Sequence, residues 1–263
     1  MPEVAPPPGD LAALRELAVD VAHEAGRLLL AARPTGTVRK SSPTDLATDA
    51  DRAAEALIVK RLLEACPDDA LLAEEGSLSE GTSGRQWVID PLDGTVNFVY
   101  GIPMWSVSIG LEGTQRLGVV YDPSRDETFT DAGTELTMGF GRRAVGLRPS
   151  GQTDLSQALI ATGFSYSTTV RATQGEIFRR VIPRVRDVRR GGSLALDLAW
   201  VGCGRLDALY ESDIKRWDIS AGTALLEAAG GAVWTRDTRI IAAGNRELLD
   251  RLAEVVLDGE PYP

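Results

Sequence analysis

Apolar residues at Leu14, Leu17, Val21, Ala25 and Leu28 recur every three or four positions, the period of one face of a helix. Asp10 stands where it can cap that helix, which the pattern predicts over residues 10–33. Ala54, Leu57, Ile58, Leu62 and Leu63 repeat the period and predict a second helix over 49–65, entered through a polar loop at 34–48. Leu71-Leu72-Ala73 reads as a short strand. Beyond Gly84 the pattern shortens to β-rich runs at 86–90, 104–112, 116–121 and 126–130, separated by turn residues. Near Gly146 it changes again. Strands are expected at 158–162, 187–189, 206–211 and 232–235, alternating with helices at 171–182, 193–202, 219–229 and 245–256. Residues 1–9 are Pro-rich and predict disorder, and no segment repeats. The pattern predicts an α+β protein in two halves, residues 1–145 with helices over an antiparallel sheet and residues 146–263 of α/β type.

Composition narrows the chemistry. The chain has 263 residues, 43% of them hydrophobic and 25% charged, which suits a globular protein with a real core. A formal charge of −10 argues against nucleic acid or an anionic membrane as a partner. It also opposes a phosphorylated substrate unless bound cations reverse the local field. Cys66 and Cys203 lack any CxxC spacing, so neither a disulfide framework nor zinc is indicated. As the single histidine, His23 cannot build a nitrogen-ligand site, and a histidine-dependent triad is discounted because it would have to use this same residue, set mid-helix among alanines and leucines. Catalysis must then rest on carboxylates, hydroxyls and metal. The absence of a charged-then-apolar leader and of any apolar run near ~18 residues predicts a cytoplasmic protein.

The segment Trp87–Leu111 concentrates that chemistry. Val88 and Ile89 read as the tail of a buried strand, and Pro91 disfavours a helical Asp90. The chain is expected to leave the strand in a tight turn that brings Asp90 and Asp93 to one side. Carboxylates so close resist joint ionisation, and a hard divalent cation such as Mg²⁺ relieves the conflict. Gly94 and Thr95 follow with backbone N–H groups and a hydroxyl for an anion. Each feature also has a plainer explanation. Asp-Pro and Asp-Gly are common turn formers. Glu74-Glu75 suits a solvated acidic pair, Asp218 an N-cap, and Thr48–Asp51 a capping box. Those explanations leave open why Glu74, Asp90, Asp93 and Asp218 all sit where strands or loops end.

The run Asp90-Pro91-Leu92-Asp93-Gly94-Thr95-Val96-Asn97-Phe98 resembles the first signature of the inositol monophosphatase family, and Trp217-Asp218-Ile219-Ser220-Ala221-Gly222 resembles the second. Lys40–Leu46, with Thr48 and Asp51, resembles the family's N-terminal loop and helix start. Arg190–Asp197, Gly204–Asp207 and Glu211 resemble its substrate-side segment. The likeness runs from about residue 11 to 256. It implies a layered α/β/α/β/α sandwich of the sugar phosphatase type, a homodimer, and lithium-sensitive Mg²⁺-dependent hydrolysis of a small phosphorylated polyol such as inositol 1-phosphate. By the same resemblance Glu74, Asp90, the Leu92 carbonyl, Asp93 and Asp218 hold Mg²⁺. Thr95, oriented by Asp51, helps deprotonate the water, with Glu75 behind it. Gly94 and Thr95 bind phosphate, while Ser193, Leu194 and Glu211 meet the sugar. Leu194 departs from the small residue usual beside the substrate, and Ser220 from an alanine; residues 132–148 lack the usual Asn-Gly turn, and the loop after Trp234 is short. Histidinol phosphate, fructose 1,6-bisphosphate and 3′-phosphoadenosine 5′-phosphate remain alternative substrates, and a non-catalytic regulatory binding protein is the alternative of another class.

Overall fold

The computed structural model describes residues 9–32, 38–39, 46–131 and 143–259, with the backbone alone at 38–39, 46–47 and 143. The expectations for the Pro-rich start, for Lys40–Asp45 and for most of 132–148 fall outside the described residues. The first helix, α1 (Leu11–Ala31), starts where Asp10 accepts the Ala12 N–H at 3.0 Å. Strands β1 (Val38–Arg39) and β2 (Leu46–Ala47) pair antiparallel within the segment expected to be loop. Helix α2 (Asp49–Ala65) begins with the expected capping box.

The next strands build a seven-stranded sheet. They are β3 (Ala70–Ala73), β4 (Leu78–Ser79), β5 (Arg85–Asp93), β6 (Ser106–Gly113), β7 (Leu117–Asp122), β8 (Glu127–Thr130) and β9 (Arg143–Val145), in the order β4-β3-β5-β6-β7-β8-β9. A short helix, α3 (Thr95–Tyr100), follows β5. The residue pattern does not show it, since six residues rich in β-branched and aromatic side chains carry no helical period; only the family resemblance implies a helix start at Gly94 and Thr95. The second sheet contains β10 (Leu159–Thr162), β11 (Asp187–Arg189), β12 (Ala208–Ser212), β13 (Ala232–Arg236) and β14 (Arg239–Ala243), in the order β11-β10-β12-β14-β13. Strand β14 was also missed, since Ile240, Ile241, Ala242 and Ala243 form a continuous apolar run without alternation. Helices α4 (Thr168–Val181), α5 (Leu194–Gly202), α6 (Arg216–Ala228) and α7 (Arg246–Leu257) complete the chain.

Four apolar clusters fill the four spaces between five layers. Leu14, Ala18 and Leu29 of α1 and Ile58 of α2 pack on Trp87, Ile89 and Ile109 of the first sheet. On its other face Val120 and Phe129 meet Ala195 and Ala199 of α5 with Ala221 and Leu225 of α6. Those helices turn Leu198 and Leu226 to Leu209 and Ile240 of the second sheet. Tyr210 and Ile241, the next residue along each strand, point the opposite way to Leu249 and Leu252 of α7. The result is the layered α/β/α/β/α order. Its middle layer packs unusually close: a Cβ at Gly118 of β7 would lie 2.2 Å from the Ala221 carbonyl oxygen, so only glycine lets α6 sit on the sheet there.

Candidate active site

Two parallel neighbours set the first pair of carboxylates. β3 pairs β5 with Ala73 opposite Ile89, and the Glu74 N–H continues the ladder by donating to the Ile89 carbonyl at 3.1 Å. Glu74 thus emerges beside Asp90, and the two carboxyls hydrogen-bond each other. The expected tight turn after Asp90 does not occur. β5 continues through Asp93, with Asp90 opposite Ser108 and Asp93 opposite Ser106, three steps on one strand against two on the other. In a regular strand residues three apart face opposite ways; the extra residue of this bulge returns Asp93 to the face of Asp90.

Gly94 then takes a left-handed conformation, φ 97°, that passes the chain into α3 with Thr95 as its first residue. The Thr95 hydroxyl faces two acceptors, Asp51 Oδ1 at 3.0 Å and the Leu92 carbonyl at 3.1 Å. Asp51 is fully buried, and its other oxygen accepts the Thr48 N–H at 2.8 Å. Asp93 Oδ2 accepts from Ser193 Oγ at 2.6 Å and from the Ala195 N–H at 2.7 Å, which docks β5 on the start of α5. Asp218 is not an N-cap. It is the third residue of α6, and its carboxylate accepts the Lys215 N–H at 2.7 Å.

These elements enclose a cleft of about 140 Å³. Glu74, Asp90, Leu92, Asp93 and Asp218 line it, as do Gly94, Thr95, Ser193, Leu194 and Glu211. Asp51 and Glu75 do not; Asp51 stands one hydroxyl behind the wall, and the Glu75 backbone N–H is held at 2.7 Å by the buried Glu55 carboxylate. His23 takes no part: Nε2 bonds Thr128 Oγ1 at 2.8 Å and the ring stacks on Tyr121, pinning α1 to the first sheet. Arg190 and Asp197, which sequence reading placed only as the ends of the segment resembling the family's substrate side, line the cleft, as do Asp213 and Thr162–Tyr166, to which it gave no role. Asp197 carried a signal, being a lone carboxylate inside the otherwise apolar helix Leu194–Gly202.

Burial dominates the electrostatics. It pushes Asp90 well above the usual carboxylate range, and the charges of Glu74, Asp93 and Asp218 push further. Asp93 is raised to about 7 by burial, against the pull of Ser193 and Ala195. Asp218 also lies well above its ordinary value through burial. Glu211 is raised to about 8 by burial, then by Asp197 and Asp93. Seven carboxyl groups (Glu74, Asp90, Asp93, Asp197, Glu211, Asp213, Asp218) share a wall whose one cation, among the described residues, is Arg190. Such a donor set fits a hard, oxygen-seeking divalent cation in kind. Among the described residues no three such side chains are poised around one ion. Asp90, Asp93 and Asp218 each have an oxygen turned to a backbone N–H, at Leu92, Ala195 and Lys215.

Residues 10–258 match the profile of the inositol monophosphatase family. The chain belongs to that family. The Mycobacterium tuberculosis protein inositol-1-monophosphatase SuhB is 42% identical over 260 residues, covering 90% of this chain and 89% of its own. The Escherichia coli protein named Nus factor SuhB is 39% identical over 230 residues, covering 82% and 83%. The fold agrees as well. The M. tuberculosis SuhB structure superposes with a TM-score of 0.78 at 38% identity, over 95% of this chain and 98% of that one. The suppressor protein suhB of Bartonella henselae reaches 0.80 at 34% identity, over 94% and 100%. Inositol monophosphatases are metal-dependent phosphatases of small phosphorylated molecules, so phosphatase activity is supported at the level of the family. No helix among the described residues is long and apolar enough to cross a membrane.

Proposed function

We propose that this chain is an Mg²⁺-dependent phosphatase of small phosphorylated polyols, with inositol 1-phosphate first among its substrates. The observation that carries the reading is the meeting, in one cleft, of Glu74, Asp90, Asp93 and Asp218 with the Gly94–Thr95 corner. Glu74, Asp90, the Leu92 carbonyl, Asp93 and Asp218 would hold Mg²⁺. When bound, the cation supplies neutralisation of the phosphate oxygens and a lowered pKa for water. The protein's own share is positioning. Backbone N–H groups of Gly94 and Thr95 hold the phosphate, and the Thr95 hydroxyl relays a proton from the attacking water toward the buried Asp51 carboxylate. Glu75 backs Glu74 from the adjacent position. Ser193, with its hydroxyl on Asp93, and Leu194 shape the sugar side, where Glu211 accepts from a hydroxyl.

The metal also accounts for the acidic wall: a phosphate could not approach seven carboxyl groups against a single guanidinium without cations between them. We further propose a homodimer inhibited by Li⁺, as the family resemblance implies, and a cytoplasmic location. A regulatory binding role has its support in the name of the E. coli relative, Nus factor SuhB. The complete acidic set favours catalysis.

Phosphate release with Mg²⁺ tests these readings on inositol 1-phosphate, histidinol phosphate, fructose 1,6-bisphosphate and 3′-phosphoadenosine 5′-phosphate, beside Asp93→Asn. Highest kcat/KM on inositol 1-phosphate, lost in the variant, supports site and substrate together. Preference for another ester moves the substrate, and no turnover on any favours the regulatory role.

A further inference from the structure

Asp197 occupies the interior of α5 and is 2% exposed, yet among the described residues its Oδ1 has no hydrogen-bond partner. A buried carboxylate oxygen left in that state is rare in folded proteins, because the lost hydration is not replaced. The neighbourhood offers it nothing. Arg190 reaches it only through its field and donates no hydrogen bond, while the charge of Asp93 repels it. Gly191 borders it without a side chain: a Cβ there would meet the Met104 methyl first and come within 2.9 Å of Asp197 Oδ1. The residue forms part of the cleft wall together with Ser193, Leu194 and Glu211, and its charge acts directly on Glu211. A side chain that belongs to the cleft wall and is deprived of donors is arranged for a donor that arrives from outside the protein.

We propose that Asp197 is a specificity-determining residue that accepts a hydrogen bond from a hydroxyl of the polyol, in addition to Glu211. This rests on the phosphatase reading above and extends it to a residue that would separate polyol esters from phosphate esters without hydroxyl groups. The physical logic is that a site built to receive a hydroxyl rejects analogues lacking one, since its acceptor is then buried unpaired. The same logic makes Asp197 unfavourable to the folded state of the free protein.

The test compares wild type, Asp197→Asn and Asp197→Leu in kcat/KM for inositol 1-phosphate and for phenyl phosphate, both with Mg²⁺, and in thermal unfolding without substrate. Loss of the acceptor in Asp197→Leu is expected to lower the ratio of the two kcat/KM values by about tenfold to a hundredfold. Asp197→Asn, whose carbonyl oxygen still accepts, is expected to recover part of that ratio. Both variants are expected to unfold at or above the wild-type temperature. An unchanged ratio, or variants that unfold at lower temperature while both substrates decline together, would overturn the inference and leave the phosphatase reading intact. Wild type inactive on both esters overturns that reading and the inference with it.

Discussion

The Thr95 hydroxyl donates to Asp51 Oδ1 at 3.0 Å across 44 residues of chain. Asp51 serves two ends at once: one oxygen caps α2 through the Thr48 N–H, and the other faces the cleft through Thr95. Because the capping contact fixes the carboxylate, the hydroxyl is aimed before any substrate arrives.

Thr95→Val keeps the shape and removes the proton path. Its kcat for inositol 1-phosphate should fall by about a hundredfold or more with little change in KM, while Thr95→Ser should restore most of it. Steady-state phosphate release separates the two, and a rise in KM alone would assign Thr95 to binding.

The metal-free protein should lose stability as pH rises. Asp93 moves from 3.8 to about 7 and Glu211 from 4.5 to about 8 on folding, both chiefly through burial. The folded state therefore binds more protons than the unfolded state between these limits, so unfolding free energy declines as pH climbs from about 4 through about 8. Below that window both states are protonated and the two groups are silent. Melting temperatures of the metal-free protein at pH 5 and pH 8 should show the decline, and Mg²⁺ should raise the pH 8 value more than the pH 5 value. A flat profile would contradict the burial of these charges.

Gly118→Ala should loosen the contact that seats α6. The new Cβ would meet the Ala221 carbonyl oxygen at 2.2 Å, and backbone on both sides leaves no flexible atom to yield. Overpacking of this kind costs about 1–3 kcal/mol, to be read from urea unfolding. Since Asp218 rides on the same helix, activity should fall with it.

Asp69→Asn should be among the most damaging changes remote from the cleft. The Asp69 side chain is fully buried, accepts Arg85 Nε at 2.9 Å and Trp87 Nε1 at 3.0 Å, and ties the start of β3 to β5. Removing its charge leaves the Arg85 guanidinium buried without its counter-ion, a loss of about 3–5 kcal/mol by chemical denaturation. Its catalytic constants, measured on the protein that remains folded, should stay near wild type.

Local pattern determined much of this protein. Helical periods at Leu14–Leu28 and Ala54–Leu63 matched α1 and α2 because a three-to-four-residue repeat can bury only one way. The acidic residues were legible too, standing at strand and helix ends where a carboxylate has no packing reason to be. Other features depended on contacts between distant segments. Strand β14 has no alternation of its own and became a strand because both its faces are covered, by α5 and α6 on one side and α7 on the other. Pro91 announced a break after Asp90, but pairing with β6 kept the chain in the sheet and turned the break into a bulge. Asp197 could be placed from sequence in a substrate-side segment, but only folding set it in the cleft wall with Glu211 and left its Oδ1 without a partner among the described residues. Sequence period reports which face of an element is apolar, and so helices over a sheet could be read from it, while the layered order was implied only by the family resemblance. Which polar groups are left without partners depends on the packing of segments a hundred residues apart, and the cleft is made of those.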